Sequence, residues 1–331
     1  MNSSIKFALT ASVAIGSVVA STGAYAISIT ASQDANSLVG ALLAGASTGI
    51  VVTGSSLAGH TTAVTLSGQP LGSFTSSGTY TNASNTYGIG AGVVLSTGGV
   101  KGVSFMGSEA FPGYDDGPNS TEGNGIPYGT PFEITNLPDP NDPPPGAPAS
   151  VAQEALLDPI TGDAVNQIFY DHFDVTELVI NFDMQPGFDR VGFKIVFGSE
   201  EFPEFVDSSF IDGFGMFLNG VNIAQVGGQP VNIKHPDMTG TIGGTELDGI
   251  LAPGGNPVLT FGGLVNPTGN TLRFIVADTS DGIFDTTVYF SALAGVAVVP
   301  APPAIWLLGT AAAGLFGRGY AKRRQRAADA T

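Results

Sequence analysis

The sequence predicts a mainly all-β protein, a Greek-key-like β-sandwich with one short N-terminal helix, and three observations carry that expectation. Glycine is abundant (47 residues) and charged residues make up only 12% of the 331-residue chain, a texture of turns and short strands rather than long helices. Short apolar runs recur along the chain, several alternating with a period of two, and Gly, Ser, Asn or Asp borders them. No helical pattern repeats between these runs, which argues against a βαβ sheet, and no fixed period points to a solenoid. Hydrophobic content of 43% suffices for a real core.

The chain opens on an address. Lys6 precedes an apolar, small-residue run from Phe7 to Ala20, and Ala24-Tyr25-Ala26 supplies the small-x-small pattern of a signal-peptidase site. Residues 1–26 are therefore expected to be a signal peptide cut after Ala26. Cysteine is absent, so disulfides, thiolate zinc sites and a cysteine nucleophile are excluded. An exported body without disulfides relies on core size or on a bound metal.

The body, 27–298, begins with a helix pattern. Ser32 or Asp34 caps it, Leu38, Val39, Leu42 and Leu43 form its apolar stripe, and Gly45 stops it. Strand-like runs follow at 49–54, 62–66, 72–74 and 88–96. Residues 111–162 break the texture. They hold half of the prolines, including Pro138, Pro140 and Pro143 to Pro145, with Asp115, Asp116, Glu122, Asp139 and Asp142 among them. That composition reads as a long, solvated, partly polyproline loop inserted in the domain.

The strongest strand signals come next. In Asp174 to Asp183, Thr176, Leu178, Ile180 and Phe182 face away from Val175, Glu177, Val179, Asn181 and Asp183. In Asp189 to Gly198, Val191, Phe193, Ile195 and Phe197 share one side. Runs at 210–219, 259–261, 271–277 and 286–295 complete the set expected for two packed sheets.

Chemistry concentrates in two acidic motifs. One runs from Phe197 through Glu200, Glu201 and Asp212 to Gly215, the other from Ile275 through Asp278, Asp281 and Asp285 to Val288. Both set carboxylates where a strong strand ends. Converging carboxylates repel one another unless a cation or protons neutralise them. A hard divalent cation with oxygen ligands fits, and Ca²⁺ is the abundant one outside a cell. The expected ligands are Glu200, Glu201, Asp212, Asp278, Asp281 and Asp285. The plainer alternative is a set of solvated turn acids.

Two further function classes compete with this reading. Paired carboxylates also serve glycosidases, so a secreted polysaccharide-active hydrolase using the clustered Asp and Glu is the alternative reading. Adjacent Glu200 and Glu201 point to opposite faces of a strand, which leaves Glu201 with Asp212 or Asp278. His60, His172 and His235 sit in no recognisable catalytic motif, and a hydrogen-bonded His172 is the simpler expectation. No catalytic residue is assigned.

The C-terminal end is a second address. Val299-Pro300-Ala301-Pro302-Pro303 breaks the fold, an apolar segment at 304–317 contains Trp306, and the basic residues Arg318, Lys322, Arg323, Arg324 and Arg326 follow. This is a stop-transfer pattern with residues 318–331 held cytoplasmic, although the segment is shorter than the ~20 residues a relaxed span prefers. The tail, 299–331, resembles the PEP-CTERM sorting signal of Gram-negative bacteria in its three-part order. It departs from the name-giving triplet in having Ala301 where the acidic residue stands. The resemblance implies recognition by an exosortase, a transient anchor in the inner membrane, and delivery to the cell surface or extracellular matrix. The chain carries a net charge of −17. Removal of both addresses leaves 27 acids and 5 bases, a body of net −22, which rules out sequence-independent binding of nucleic acid.

The stretch Phe-Gly-Ser-Glu-Glu-Phe-Pro-Glu-Phe-Val, continuing to Phe-Ile-Asp-Gly-Phe-Gly-Met-Phe-Leu-Asn-Gly across 197–220, resembles the signature of the choice-of-anchor L domain. The helix at 35–43, the 92–98 run and the 278–286 segment resemble other parts of it, so the likeness covers most of 30–298. It implies a displayed extracellular β-rich protein, and brings no ligand, metal or catalytic residue with it. The expectation is a non-enzymatic, exported β-sandwich of adhesion or exopolysaccharide matrix (biofilm), stabilised by Ca²⁺, whose partners are signal peptidase, exosortase and exopolysaccharide or other surface proteins.

Overall fold

A computed structural model describes residues 27–44, 49–59, 61–66, 69–83, 85–100, 148–163, 165–240, 249–282 and 284–297. The expected signal peptide, residues 111–147 of the expected loop, and the 299–331 tail lie outside the described residues. Among the described residues, no helix is long and apolar enough to cross a membrane.

The chain forms β1 (Ile27–Ala31), α1 (Ala35–Leu42), β2 (Ile50–Ala58), β3 (Thr61–Leu66), β4 (Gln69–Thr75), β5 (Ser77–Asn82) and β6 (Gly92–Ser96). Then come α2 (Val151–Thr161), β7 (His172–Met184), β8 (Phe188–Ser199), β9 (Gly213–Leu218), β10 (Val221–Asn222), β11 (Gln225–Val226) and β12 (Gln229–Asn232). The series ends with β13 (Met238–Thr239), β14 (Gly249–Leu251), β15 (Leu259–Leu264), β16 (Asn270–Thr279) and β17 (Thr286–Ala297). One sheet is ordered β1-β5-β6-β17-β8-β14-β13 with β15 also on β8, the other β11-β12-β9-β16-β7-β2 with β10 on β9, and β3 and β4 pair apart. All pairings in the two large sheets are antiparallel, and the chain passes between the sheets repeatedly, among other places at β6 to β7, β7 to β8, β8 to β9, β12 to β13, β15 to β16 and β16 to β17.

The two sheets share one core. Leu178, Ile180 and Phe182 of β7, Phe214 and Met216 of β9, and Leu272, Phe274 and Val276 of β16 meet Val191, Phe193, Ile195 and Phe197 of β8 and Val288 and Phe290 of β17. The alternation expected for β7 and β8 is the one observed: the inner parity is buried, while Asn181 on the other parity is exposed. Each large side chain removed from water contributes roughly 1.5–3 kcal/mol, so these strand centres anchor the fold. A second apolar cluster on the outer side of the first sheet buries Val196, Tyr289, Tyr80 and Ile250. β8 is thus buried on both faces, a position that its unbroken apolar run from Ile195 to Phe197 suits.

Asp34 caps α1 by accepting from Asn36 N–H at 3.0 Å, and Leu38, Val39 and Leu42 face the core as their spacing predicts. The expectation of a single helix is corrected. Within the stretch read as a loop, Val151–Thr161 is helical, started by a capping box in which Ser150 and Gln153 bond reciprocally. Leu157 and Ile160, three residues apart, bury one face of α2 against Phe217, Ile275 and Ala277 on the outer side of the second sheet. Gly213 and Gly215 permit the approach, because a Cβ there would meet Thr161 Cγ2 at 2.7 Å and Ile160 Cδ1 at 2.6 Å.

Candidate functional site

The two acidic motifs meet at one end of the sandwich, because antiparallel strands return both motifs to the same edge. Glu200 and Glu201 follow the last residue of β8, Asp212 precedes β9, Asp278 sits near the end of β16, and Asp285 precedes β17. The connecting loops are tied together. Phe205 packs between Phe210 and Phe284, with ring centroids 5.6 and 5.7 Å away. Ser280 Oγ donates to Ser209 O at 2.9 Å, and Thr279 Oγ1 donates to Ile211 O at 2.9 Å. Glu200 and Asp285 exchange two bonds: Glu200 N–H donates to Asp285 O, and Asp285 N–H to Glu200 Oε2, both at 3.1 Å.

Inside this clasp lie three deeply buried carboxylates. Glu201, Asp212 and Asp278 are 2%, 1% and 2% exposed. Asp212 is well served: Thr286 Oγ1 donates to Oδ2 at 2.7 Å and Thr279 N–H to Oδ1 at 2.9 Å. Even so, burial pushes its carboxyl up to about 8, with the Asp281 charge adding to the effect. Burial, then the charges of Asp212, Asp281 and Glu204, pushes Glu201 up to about 11. Asp278 is raised well above the carboxylate range by burial first, then by Asp212, Asp174 and Asp285. No Lys or Arg stands among these causes.

Two oxygens decide the character of the site. Glu201 Oε2 and Asp278 Oδ1 are buried and have no hydrogen-bond partner among the described residues. A buried, unsatisfied carboxylate oxygen is costly, and either a bound cation or protonation of the cluster relieves it. Asp285 is packed onto Gly98, where a Cβ would fall within 2.0 Å of both carboxylate oxygens. Only glycine at 98 leaves room for that acid. Hydroxyls line the first sheet's edge: Thr286 N–H donates to Thr97 Oγ1 at 2.9 Å, and Ser96 Oγ and Thr287 Oγ1 lie 2.9 Å apart.

All six acids singled out from the sequence therefore join one network, through hydrogen bonds or mutual charge effects. Asp174 is a seventh member that sequence reasoning missed. It is 1% exposed and raises Asp278 by its charge. A β-bulge at this point, with Asp174 at φ 46°, interrupts the alternation, so the strand pattern does not announce it. These acids meet pairwise. Among the described residues, the three metal-capable side chains whose ligand atoms all lie within 4.8 Å of one another are Glu154, Asp158 and His172, a different set of donors. Closing the strand-end acids around one ion at the ~2.4 Å of a Ca²⁺–oxygen contact requires them to draw inward.

The middle of the chain has a counterpart among known families. Residues 138–245 match the Choice-of-anchor L domain. The match takes in 108 of the 331 residues, a narrower span than the 30–298 expected from the sequence. No curated protein and no solved structure matches the chain at a significant level. The Choice-of-anchor L segment supplies α2, β7 to β13, Glu200, Glu201 and Asp212, whereas Asp278, Asp281 and Asp285 come from strands beyond it.

No histidine bonds to the acidic cluster among the described residues, although His172 pairs with Thr279 on the neighbouring strand. His60 lies outside the described residues. His235 accepts from Asp237 N–H through Nδ1 at 3.1 Å and pairs through Nε2 with Val226 O at 3.0 Å, pinning a turn. His172 is buried and hydrogen-bonded, the simpler of its two expected roles.

Proposed function

We propose that the chain is an exported, non-enzymatic β-sandwich displayed on the cell surface or in the extracellular matrix, whose strand-end carboxylates bind Ca²⁺. The observation that supports display is the Choice-of-anchor L match over 138–245, together with the signal-peptide pattern at 1–26 and the PEP-CTERM-like tail at 299–331. On this reading signal peptidase cuts after Ala26. An exosortase then recognises Val299, Pro300, Pro302, Pro303, Trp306, Arg323 and Arg324, and the inner membrane holds the 304–317 segment only in transit. Adhesion within an exopolysaccharide matrix, or to other surface proteins, is the role such a body serves.

The calcium reading rests on Glu201 Oε2 and Asp278 Oδ1, buried oxygens without a partner among the described residues. Oxygen-only donors suit a hard cation. Glu201, Asp212, Asp278 and Asp281 would hold it, with Glu200 and Asp285 at the rim. The ion would supply positive charge that the described residues do not place there, and so lock the ends of both sheets together. The alternative, a polysaccharide hydrolase, is disfavoured at these residues by burial. Glu201, Asp212 and Asp278 are at most 2% exposed, and an acid and base must flank the bond they cleave.

Intact-mass measurement of the cell-surface form tests the display reading. A mass lacking residues 1–26 and the tail is expected; a chain retaining both ends, or found only in the cytoplasm, contradicts it.

A further inference from the structure

A second cluster of metal-capable side chains lies beneath α2, at the same end of β7 and β16 as the acidic motifs, where His172 pairs with Thr279. Glu154 and Asp158 are four residues apart on that helix and so share a face, and His172 opens β7 below them. A glutamate oxygen, an aspartate oxygen and an imidazole nitrogen all lie within 4.8 Å of one another. His172 is fully buried, and its ring is fixed from both sides: Nε2 lies 2.7 Å from Thr161 Oγ1, and Nδ1 lies 2.6 Å from Glu154 Oε2. Glu154 Oε1 also accepts from the His172 backbone N–H at 3.1 Å.

The Thr161 hydroxyl reaches Leu157 O at 3.5 Å. At 2.6 Å Nδ1–H donates to the Glu154 carboxylate, and an ion would take the place of that proton, leaving Nε2–H to donate to Thr161 Oγ1. An imidazole oriented by a hydrogen bond at one nitrogen while the other faces a donor set is the usual arrangement around a bound metal. Access is open from solvent, since the Glu154 side chain is 26% exposed and Asp158 is half-buried. Asp171 adds a further negative charge beside Asp158.

We propose that Glu154, Asp158 and His172 form a binding site for a divalent transition-metal ion of the zinc class, with water completing its coordination. Imidazole in the donor set selects such an ion over Ca²⁺ or Mg²⁺, which take oxygen. Zinc contacts of ~2.0–2.2 Å hold ligand atoms a little over 3 Å apart, a spacing that rotation of the partly exposed Glu154 and Asp158 side chains supplies. The ion would join α2 to β7 and so fasten the helix that covers the second sheet. This site is independent of the calcium reading, and its donors are different.

Isothermal titration of the full chain with ZnCl₂, in buffer holding excess Ca²⁺, tests it. One zinc ion per chain is expected, with affinity lowered about tenfold or more by Asp158→Asn and by Glu154→Gln and kept within tenfold in Asp278→Asn. Asp158 is half-buried at the helix surface, so its variant tests binding without threatening the core. The proposal is overturned if the wild-type chain takes up no zinc, or if either ligand variant keeps its affinity within tenfold. Loss of zinc binding in Asp278→Asn overturns it too, because the ion then belongs to the strand-end cluster.

Discussion

Glu177 and Glu201 are both carboxylates buried in the same sandwich, and the protein holds them in opposite ways. Glu177, on the outer face of β7 under α2, has both oxygens answered: Arg273 Nη1 lies 2.7 Å from Oε1, and Gln153 Nε2 donates to Oε2 at 2.9 Å. The chain supplies a cation there. Glu201, at the strand end, lies among Asp212, Asp281 and Glu204, and its Oε2 has no hydrogen-bond partner among the described residues. The first arrangement is complete in itself. The second needs protons or a cation from outside, which is why the calcium reading is placed at the strand ends.

The contrast predicts charge-removing substitutions of opposite sign. The largest effect is expected from Arg273→Ala, which leaves Glu177 buried without its cation and costs about 3 kcal/mol, the low end for a broken buried pair because Arg273 is partly exposed. Chemical denaturation with and without Ca²⁺ reads it, and the loss should be the same in both. Next comes Gly98→Ala. Its Cβ would fall within 2.0 Å of the Asp285 carboxylate, so that acid must shift, at a cost of about 1–3 kcal/mol for an overpacked site and with weakened calcium binding. An unchanged calcium affinity would detach Asp285 from the site.

Smaller, and of the other sign, is Asp278→Asn. In EDTA it removes a buried carboxyl that folding must protonate, and should raise stability by about 1 kcal/mol; destabilisation in EDTA would equate the two regions. A separate check, read as a sign, is the pH dependence. Asp212 and Glu201 are pushed up to about 8 and about 11, above their ordinary values near 4. Between those limits the folded chain binds more protons than the unfolded one, so stability falls as pH rises. Melting in EDTA should therefore decline from about pH 5 to about pH 8, and saturating Ca²⁺ should flatten the decline. A profile in EDTA that rises over that window contradicts the sign.

Much of this was legible in the chain. Alternation set the inner parity of β7 and β8, Asp34 announced the start of α1, and acids bunched at strand ends marked the site. What escaped has physical causes. α2 hid within proline-rich surroundings that read as a loop, although Ser150-x-x-Gln153 spelled a capping box before Leu157 and Ile160. Asp174 passed as an ordinary strand start because nothing local distinguishes an acid that faces the core end from one that faces solvent. The Thr97–Thr286 bond joins residues 189 apart in the sequence, and such pairings follow from the sheet order rather than from any local pattern. Likewise the partner of Glu177 depends on which strand lies beside β7.

The central claim is that the strand-end carboxylates are completed by calcium, and paired thermal melts test it most directly. Wild-type chain and Asp278→Asn are each melted in excess EDTA and in millimolar Ca²⁺. The account predicts a Tm for the wild type that rises clearly with Ca²⁺, and a Tm for Asp278→Asn that barely moves. Coincident wild-type melts in EDTA and Ca²⁺ would contradict it.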